Sequence, residues 1–337
     1  MKRFIGVDLH KTAFTVCFLE GDEQRFETYK IGDVARFRIE LRLDDEVALE
    51  TTTNTRSFMK QIRDSVAKIH VINTMQFKVV SQSVKKTDAN DAEAMAFFLS
   101  KGMLPEVRMK DERYAELESL ANTRHKLVQL KTALKNKIHN ILNAQGIVTK
   151  KECLSSNKAL GKVLEYQVSP VARIELEVII DQIKGLNTGI AKIDEELSDK
   201  GKGLDGHEGI TSIKGVGDKS GAILLSVIGD VNDFEDEKKL AAYFGIVPRV
   251  SNSNETNRQG RITKQGSKLG RTTLVQCTLI AIRYSDYLRA FYEKLKAKKG
   301  SGKAIIATAK KLLGIIYLTL KNKWVFEDFP NFVLKEA

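Results

Sequence analysis

Between Leu176 and Leu197 the apolar residues Leu176, Ile179, Ile183, Leu186, Ile190, Ile193 and Leu197 step by three and four. Earlier in the chain, between Asp111 and Ala144, Leu120, Leu127, Leu134 and Ile141 recur at every seventh residue. That period lays an apolar stripe along one side of a long helix, and about three heptads are the minimum that specifies a coiled coil. The middle of the chain is therefore expected to be helix almost without relief, with two stripes to bury. Two arrangements satisfy them. One is pairing with a like helix, which makes the chain a dimer or larger oligomer; the other is an ordinary bundle within one chain. Proline usage agrees with long helices: 4 prolines occur in 337 residues, where average usage of ~5% would supply about seventeen.

The length exceeds the ~250–300 residues at which a single core stops growing, so two or three domains are expected. Apolar residues make up 42% and charged residues 29%, which excludes a disordered chain. Lys and Arg number 55 against 43 Asp and Glu, a net charge of +12. That excludes an acidic-tail protein and points to a polyanionic partner. Cys17, Cys153 and Cys277 are odd in number and far apart, so neither a disulfide framework nor a zinc site is expected, and a reducing cytoplasm fits. No signal-peptide core follows Met1-Lys2-Arg3. The longest apolar run, Leu312 to Leu320, falls far short of the ~20 residues that span a bilayer.

The first hundred residues alternate strand and helix signals. Strands are expected near residues 3–8, 12–19, 24–29, 47–50 and 68–73, and helices over 55–66 and 88–99. A meander followed by alternating helix and strand predicts an α/β domain with a mixed sheet and helices on its faces. Beyond Gly201 the pattern is mainly helical, with helices expected over 219–228, 238–244, 267–284 and 302–321. The turn Gly215-Val216-Gly217 opens the first of these and either offers N–H groups to a phosphate or simply joins two helices.

Four carboxylates stand out by position. Asp8 closes the first strand, Glu50 closes a later one, and Asp88 and Asp91 lie three apart at a helix start. Strand ends converge at one edge of such a sheet, and an i, i+3 pair directs both side chains the same way. Four oxygen donors at one edge suit Mg²⁺, with Mn²⁺ as the alternative. Paired ions ~3.5–4 Å apart would stabilise the attacking and leaving oxygens of a phosphodiester displacement. Each acid alone has a blander reading as a solvated side chain, and Asp88 is placed to cap its own helix. The Gly6-Val7-Asp8 turn also fits the first phosphate loop of actin-like kinases and chaperone ATPases, but neither a second phosphate turn nor an adenosine motif follows. His10, beside Asp8, has two readings, a contact to metal or DNA and a place on the opposite strand face, the second being the commoner arrangement.

From Pro248 to Gly260 the chain is poor in apolar residues and is expected to be a surface loop. Between Arg249 and Arg271 lie six basic residues, Arg249, Arg258, Arg261, Lys264, Lys268 and Arg271, against the single acid Glu255. Such a stretch is an electrostatic footprint for phosphates. Ser251 and Ser253 stand within it as hydroxyl nucleophiles whose phosphorane charge guanidinium groups would stabilise. Arg124, Lys126, Lys131, Lys135 and Lys137 on the long helix form a second basic cluster, and Lys294, Lys296, Lys298 and Lys299 a third.

Five motifs combine these residues in order along essentially the whole chain: Gly6-Val7-Asp8-Leu9-His10-Lys11, Leu49-Glu50-Thr51-Thr52, Lys86-Thr87-Asp88-Ala89-Asn90-Asp91-Ala92, Tyr243-Phe244-Gly245-Ile246-Val247-Pro248-Arg249 and Gly260-Arg261-Ile262-Thr263-Lys264-Gln265-Gly266. In this the chain resembles the DEDD insertion-sequence transposases of the IS110 type, which include the Piv-like DNA invertases. The resemblance implies three segments. The first, over residues 1–150 and including the first long helix, is a RuvC-like, ribonuclease-H-type domain holding Mg²⁺ through Asp8, Glu50, Asp88 and Asp91. A coiled coil over 165–200 and a mainly helical transposase domain over 205–337, carrying a nucleophilic serine, follow.

In the family the serine follows the Pro-Arg element by five positions and usually precedes Gly; counting from Pro248 gives Ser253, with Asn254 in place of Gly and Ser251 as the alternative. The implied activity is Mg²⁺-dependent cleavage and exchange of DNA strands through a phosphoserine intermediate. A structured noncoding RNA, the bridge RNA, would guide it. The implied assembly is a homo-oligomer, dimer or tetramer, whose site joins the acids of one subunit to the serine of another. Two other classes stay open on the residues alone: a RuvC-like nuclease that forms no covalent adduct, and a non-catalytic nucleic-acid-binding scaffold.

Overall fold

Side chains alternate along the first strands, and each face of the resulting sheet finds its own cover. The computed structural model describes residues 2–73, 77, 87–107, 109–253 and 256–326. Lys86, Asn254 and Glu255, all quoted above, lie outside the described residues. The chain divides into two units, Met1–Met109 and Lys110–Ala337.

The first unit contains β1 (Arg3–Leu9), β2 (Ala13–Glu20), β3 (Glu23–Lys30), α1 (Val34–Glu40), β4 (Glu46–Glu50), α2 (Thr55–Ile62), β5 (Lys68–Ile72) and α3 (Asp88–Ser100). Sheet order is β3-β2-β1-β4-β5. β1, β2 and β3 form an antiparallel meander, and β4 and β5 continue parallel to β1. The mixed sheet expected from the sequence is present. Ile5, Val7, Phe14, Val16, Val47 and Leu49 face one side and pack on Phe37 of α1 and Phe58 of α2. Phe14 stacks on Tyr29 with ring centroids 5.1 Å apart and meets Phe58 edge-on at 4.9 Å.

The other face is covered by α3. Ala92 and Ala96 lie against Cys17 and Leu19, and Met95 and Leu99 against Ala48 and Ile72. Small residues on both sides permit a close approach, which is tightest at Gly6. A Cβ there would lie 2.0 Å from the Ala92 carbonyl oxygen and 2.7 Å from the Ala96 nitrogen. Only a residue without a side chain allows α3 to rest on β1 at this depth.

The second unit contains α4 (Glu112–Ala144), α5 (Asn157–Val163), α6 (Pro170–Lys202), α7 (His207–Thr211), α8 (Asp218–Ile228), α9 (Glu237–Tyr243), β6 (Pro248–Ser253), β7 (Thr256–Ile262), α10 (Lys268–Tyr284), α11 (Asp286–Lys299) and α12 (Ser301–Asn322). α4 and α6 run antiparallel: Arg124 pairs with Asp194, Lys131 with Asn187 and Lys137 with Glu175. Their seam buries Ile138, Ile141 and Leu142 against Leu176, Ile180 and Ile183. The heptad stripe of α6 is thus met by α4 of the same chain, the bundle arrangement of the two left open above. Tyr114, Leu117 and Ala121 of α4 join the core around α8, together with Leu312, Leu313 and Ile316 of α12. For that reason the structural division falls ahead of α4, at residue 109, whereas the sequence division groups this helix with residues 1–150. No described helix is long and apolar enough to cross a membrane.

The stretch from Pro248 to Gly260 is not the surface loop expected. β6 and β7 pair antiparallel, with Ser251 opposite Arg258 and Ser253 opposite Thr256, and with a register shift between Pro248 and Val250. Backbone pairing uses N–H and C=O groups that every residue but proline carries, so a run of Ser, Asn, Thr and Arg forms a ribbon without the alternating apolar residues by which strands are read.

Gly6→Ala tests the α3–β1 contact. The added methyl is expected to cost roughly 1–3 kcal/mol of stability, read by chemical denaturation, and to weaken divalent-cation binding by displacing the first turn of α3. An unchanged midpoint would contradict so close an approach.

Candidate active site

Strand alternation sends Val7 and Leu49 into the aromatic core, so Asp8 and Glu50 point to the side covered by α3. Register sets their level: Val7 pairs with Leu49 across the parallel β1–β4 ladder, and each carboxylate is the next residue. Thr51 and Thr52, the remainder of the Leu-Glu-Thr-Thr motif, shape the turn after Glu50. The Thr51 hydroxyl donates to the Ile72 carbonyl at 2.7 Å, the Thr55 hydroxyl donates to the Glu50 carbonyl at 2.5 Å, and the Thr52 N–H donates to the Thr55 hydroxyl at 2.8 Å.

α3 brings the other two acids. Its cap is Thr87, whose hydroxyl accepts from the Asn90 N–H at 3.2 Å. Asp88 is thereby not the cap but a first-turn residue with Asp91, where the helix dipole favours negative charge. Asp91 is buried and Asp88 exposed, while Asp8 at the strand end is only 4% exposed. Burial first, and then the nearby charges of Asp88 and Asp91, push the Asp8 carboxyl above its ordinary range despite an opposing pull from His10. The structure thus brings Asp8, Asp88 and Asp91 within electrostatic reach and sets Glu50 beside Asp8 by register.

Of the two readings of His10, the structure supports the one beside the acids and not the opposite face: residues two apart on a strand share a face, and β1 ends at Leu9. Its Nε2 lies 3.0 Å from Asp8 Oδ2 and 3.4 Å from Asp88 Oδ1. Burial works to lower the imidazole's value, but Asp8 and Asp88 outweigh it and the net shift is upward. Asp8, His10 and Asp88 each offer one ligand atom, all within 4.8 Å of one another. Hard carboxylate oxygens crowded at a buried strand end are a donor set that fits Mg²⁺ or Mn²⁺.

In the second unit, Ser253 is the last residue of β6, and Ser251 and Arg258 face each other across the ribbon; backbone register alone places these three. The base of the ribbon is closed by two glycines in the left-handed region. A Cβ on Gly245 (φ +65°) would lie 2.2 Å from the Gln265 oxygen, and one on Gly266 (φ +119°) would lie 2.0 Å from the Tyr243 oxygen. Arg271 ties the same crossing together, with Nη1 donating to the Phe244 carbonyl at 3.0 Å and to Gly266 at 3.2 Å. Partial burial lowers the Arg271 guanidinium's value. Arg249, Arg261, Lys264 and Lys268 are exposed around this base.

Two other predicted phosphate contacts are occupied between helices. Arg124 forms a two-pronged pair with Asp194, to which Lys219 Nζ also donates at 2.9 Å. Lys131 Nζ donates to Asn187 Oδ1 at 3.1 Å, and burial followed by the nearby charges of Lys135 and Arg124 lowers its value.

Known proteins share both regions. A DEDD transposase profile of the IS110 group matches residues 5–146, which contain all four acids. The profile described as "Transposase IS116/IS110/IS902 family" matches residues 207–293, which contain the β6–β7 ribbon. The chain is similar to the transposase for insertion sequence element IS1111A of Coxiella burnetii, 23% identical over 334 residues that cover 95% of this chain and 90% of that protein. A probable family 20 transposase of Pseudomonas aeruginosa is 24% identical over 331 residues, covering 95% and 97%. The pilin gene-inverting protein of Moraxella lacunata is 23% identical over 346 residues, covering 97% and 98%.

Two outcomes follow from this geometry. Asp8 has its carboxyl raised above 3.8 in the fold, so the stability tied to its neutral form is complete below that value and is lost as pH rises through the raised one. Metal-free Asp8→Asn is therefore expected to melt above the parent at neutral pH, with the gap closing toward pH 3.8; Mg²⁺ should raise the parent's midpoint and not the variant's. At the ribbon, Gly266→Ala combines a left-handed backbone with a backbone clash and should cost roughly 2 kcal/mol, measured by thermal unfolding.

Proposed function

Because the chain belongs to the IS110 family of transposases, we propose that it is an RNA-guided DNA recombinase. In this reading it cuts and exchanges DNA strands through a covalent phosphoserine intermediate. The observation that carries the reading is the gathering of buried Asp8, Asp91 and their neighbour Asp88 at one strand end, where burial and then the charges of the other two acids raise the Asp8 carboxyl. A group of acids held so close serves catalysis better than stability. The meander joined to parallel strands, with Asp8 and Glu50 closing neighbouring strands, supports a RuvC-like, ribonuclease-H-type domain.

Asp8, Glu50, Asp88 and Asp91 would hold the divalent cation, Mg²⁺ or Mn²⁺. When bound, it supplies charge neutralisation at the scissile phosphate. Ser253 at the end of β6 attacks the phosphorus, and the departing nucleotide oxygen takes up a proton as the P–O bond breaks. One strand end is then esterified to serine and the other carries a hydroxyl. The ester keeps the energy of the broken bond, so a hydroxyl from a second duplex reverses the step without ATP. Exposed Arg249, Arg261, Lys264 and Lys268, with Arg258, hold phosphates around the ribbon, whereas Arg124, Lys131 and Arg271 spend their charge on the fold. A homo-oligomer supplies the acids and the serine from different copies. The net charge of +12 suits simultaneous contact with DNA and a structured guide RNA; base pairing by that RNA would choose the target. The cytoplasm of a bacterium or archaeon is the setting this requires.

Denaturing gels test the chemistry. Protein purified with its copurifying RNA is incubated with element-end and target DNA and Mg²⁺, with an RNase-treated control. A protein–DNA adduct is expected, absent after RNase and absent in Ser253→Ala, whose strand exchange should fall by about 10³-fold or more. Ser251→Ala should retain the adduct. Undiminished exchange by Ser253→Ala would overturn the assignment, and cleaved DNA without any adduct would establish the nuclease reading instead.

A further inference from the structure

The donor set at Asp8 contains an atom that four acids do not account for. His10 follows β1 directly, and its backbone is held from two sides. The His10 N–H donates to the Ala13 carbonyl at 3.0 Å, and Asn54 Nδ2, at the start of α2, donates to the His10 carbonyl at 3.2 Å. The imidazole is thus set at the mouth of the strand-end cluster, with its side chain 53% exposed. Nε2 stands 3.0 Å from Asp8 Oδ2 and 3.4 Å from Asp88 Oδ1. Around an octahedral ion with bonds of ~2.1 Å, adjacent ligand atoms are ~3.0 Å apart. The Asp8–His10 spacing matches that edge, and the His10–Asp88 spacing needs only a few tenths of an ångström of closure.

We infer that His10 is a nitrogen ligand of the divalent cation held by Asp8 and Asp88, and that it moves the preference of this centre from Mg²⁺ toward Mn²⁺. The inference rests on the reading of the acids as a metal centre. Its chemistry is that of donor type. Mg²⁺ takes oxygen ligands almost throughout and sheds water reluctantly, whereas an imidazole nitrogen suits a first-row transition ion. With His10 beside Asp8 and Asp88 at the exposed mouth of the cluster, the solvent side of the ion would stay open to water and to phosphate oxygens. A side chain that merely paired as a cation with the same two carboxylates would show the same spacings, so the test must detect a metal–nitrogen bond.

Pulsed electron paramagnetic resonance on the full-length chain loaded with Mn²⁺, without nucleic acid, reads that bond as nitrogen modulation of the spin echo. The modulation is expected in the parent and absent in His10→Asn. Calorimetric titration of the same variant should show Mn²⁺ binding weakened roughly tenfold or more and Mg²⁺ binding changed by less than about threefold. Thermal melts confirm that an exposed substitution leaves the fold intact. Modulation that persists in His10→Asn, or Mn²⁺ bound equally well by parent and variant without modulation, would overturn the ligand assignment alone. Asp8→Asn separates the two layers: if it binds Mn²⁺ as tightly as the parent, the carboxylate centre itself falls.

Discussion

The contact between α3 and β1 at Gly6 is the constraint on which the candidate centre depends. Asp88 and Asp91 belong to a helix and Asp8 to a strand, and nothing in their covalent spacing brings them together. They meet because the helix lies so low on the sheet that a single methyl at position 6 would strike the Ala92 carbonyl. Ala92 and Ala96 keep the helix side of this contact flat. The cost is electrostatic: burying Asp8 and Asp91 near Asp88 raises the Asp8 carboxyl, so the metal-free fold is held together in spite of its own acids. A site that is destabilising by itself and neutralised by a cation is a common signature of chemistry placed ahead of stability.

The second unit spends its positive charge in two ways. Between α4 and α6, Arg124 and Lys219 converge on Asp194, and Lys131 reaches Asn187, so these side chains align two long helices. At the base of the β6–β7 ribbon, Arg271 is turned inward onto backbone carbonyls. Arg249, Arg261, Lys264 and Lys268 remain exposed nearby. Lys and Arg near the ribbon look equivalent as letters, yet some are structural struts and others face solvent. What separates them is whether a carboxylate or carbonyl of a neighbouring element waits within reach. The ribbon is seated on the core of its unit through Phe244, which is fully buried. The crossing at Gly245 and Gly266 therefore anchors the strand that ends in Ser253.

Much of this was legible in the sequence because the signals are local. Alternation and turn residues located β1 to β5 to within a residue or two. Heptad spacing located α4 and α6, and the Thr-Asp-x-x-Asp pattern located the start of α3. Asp8 and Glu50 were picked out because each closes an apolar strand. The misses have physical reasons. α11 holds a single buried residue, Leu288, so its apolar period is faint and only its lysines drew notice. The ribbon carries no apolar alternation to read. Nothing in the sequence near His10 fixes its side chain, because β1 ends at Leu9 and what holds the turn is the Asn54 amide from far along the chain.

Local chemistry decided strands β1 to β5 and most of the long helices, that the heptad stripes needed burial, and that four acids fall at element ends. These follow from interactions over three or four residues. Tertiary structure alone decided the rest. It chose α4 of the same chain as the partner of α6, assigned α4 to the second unit, turned Arg124, Lys131 and Arg271 inward, and set an imidazole between Asp8 and Asp88. Such choices depend on which distant surfaces fit at ångström distances, and contacts between residues far apart in order leave no period in the chain from which they can be read.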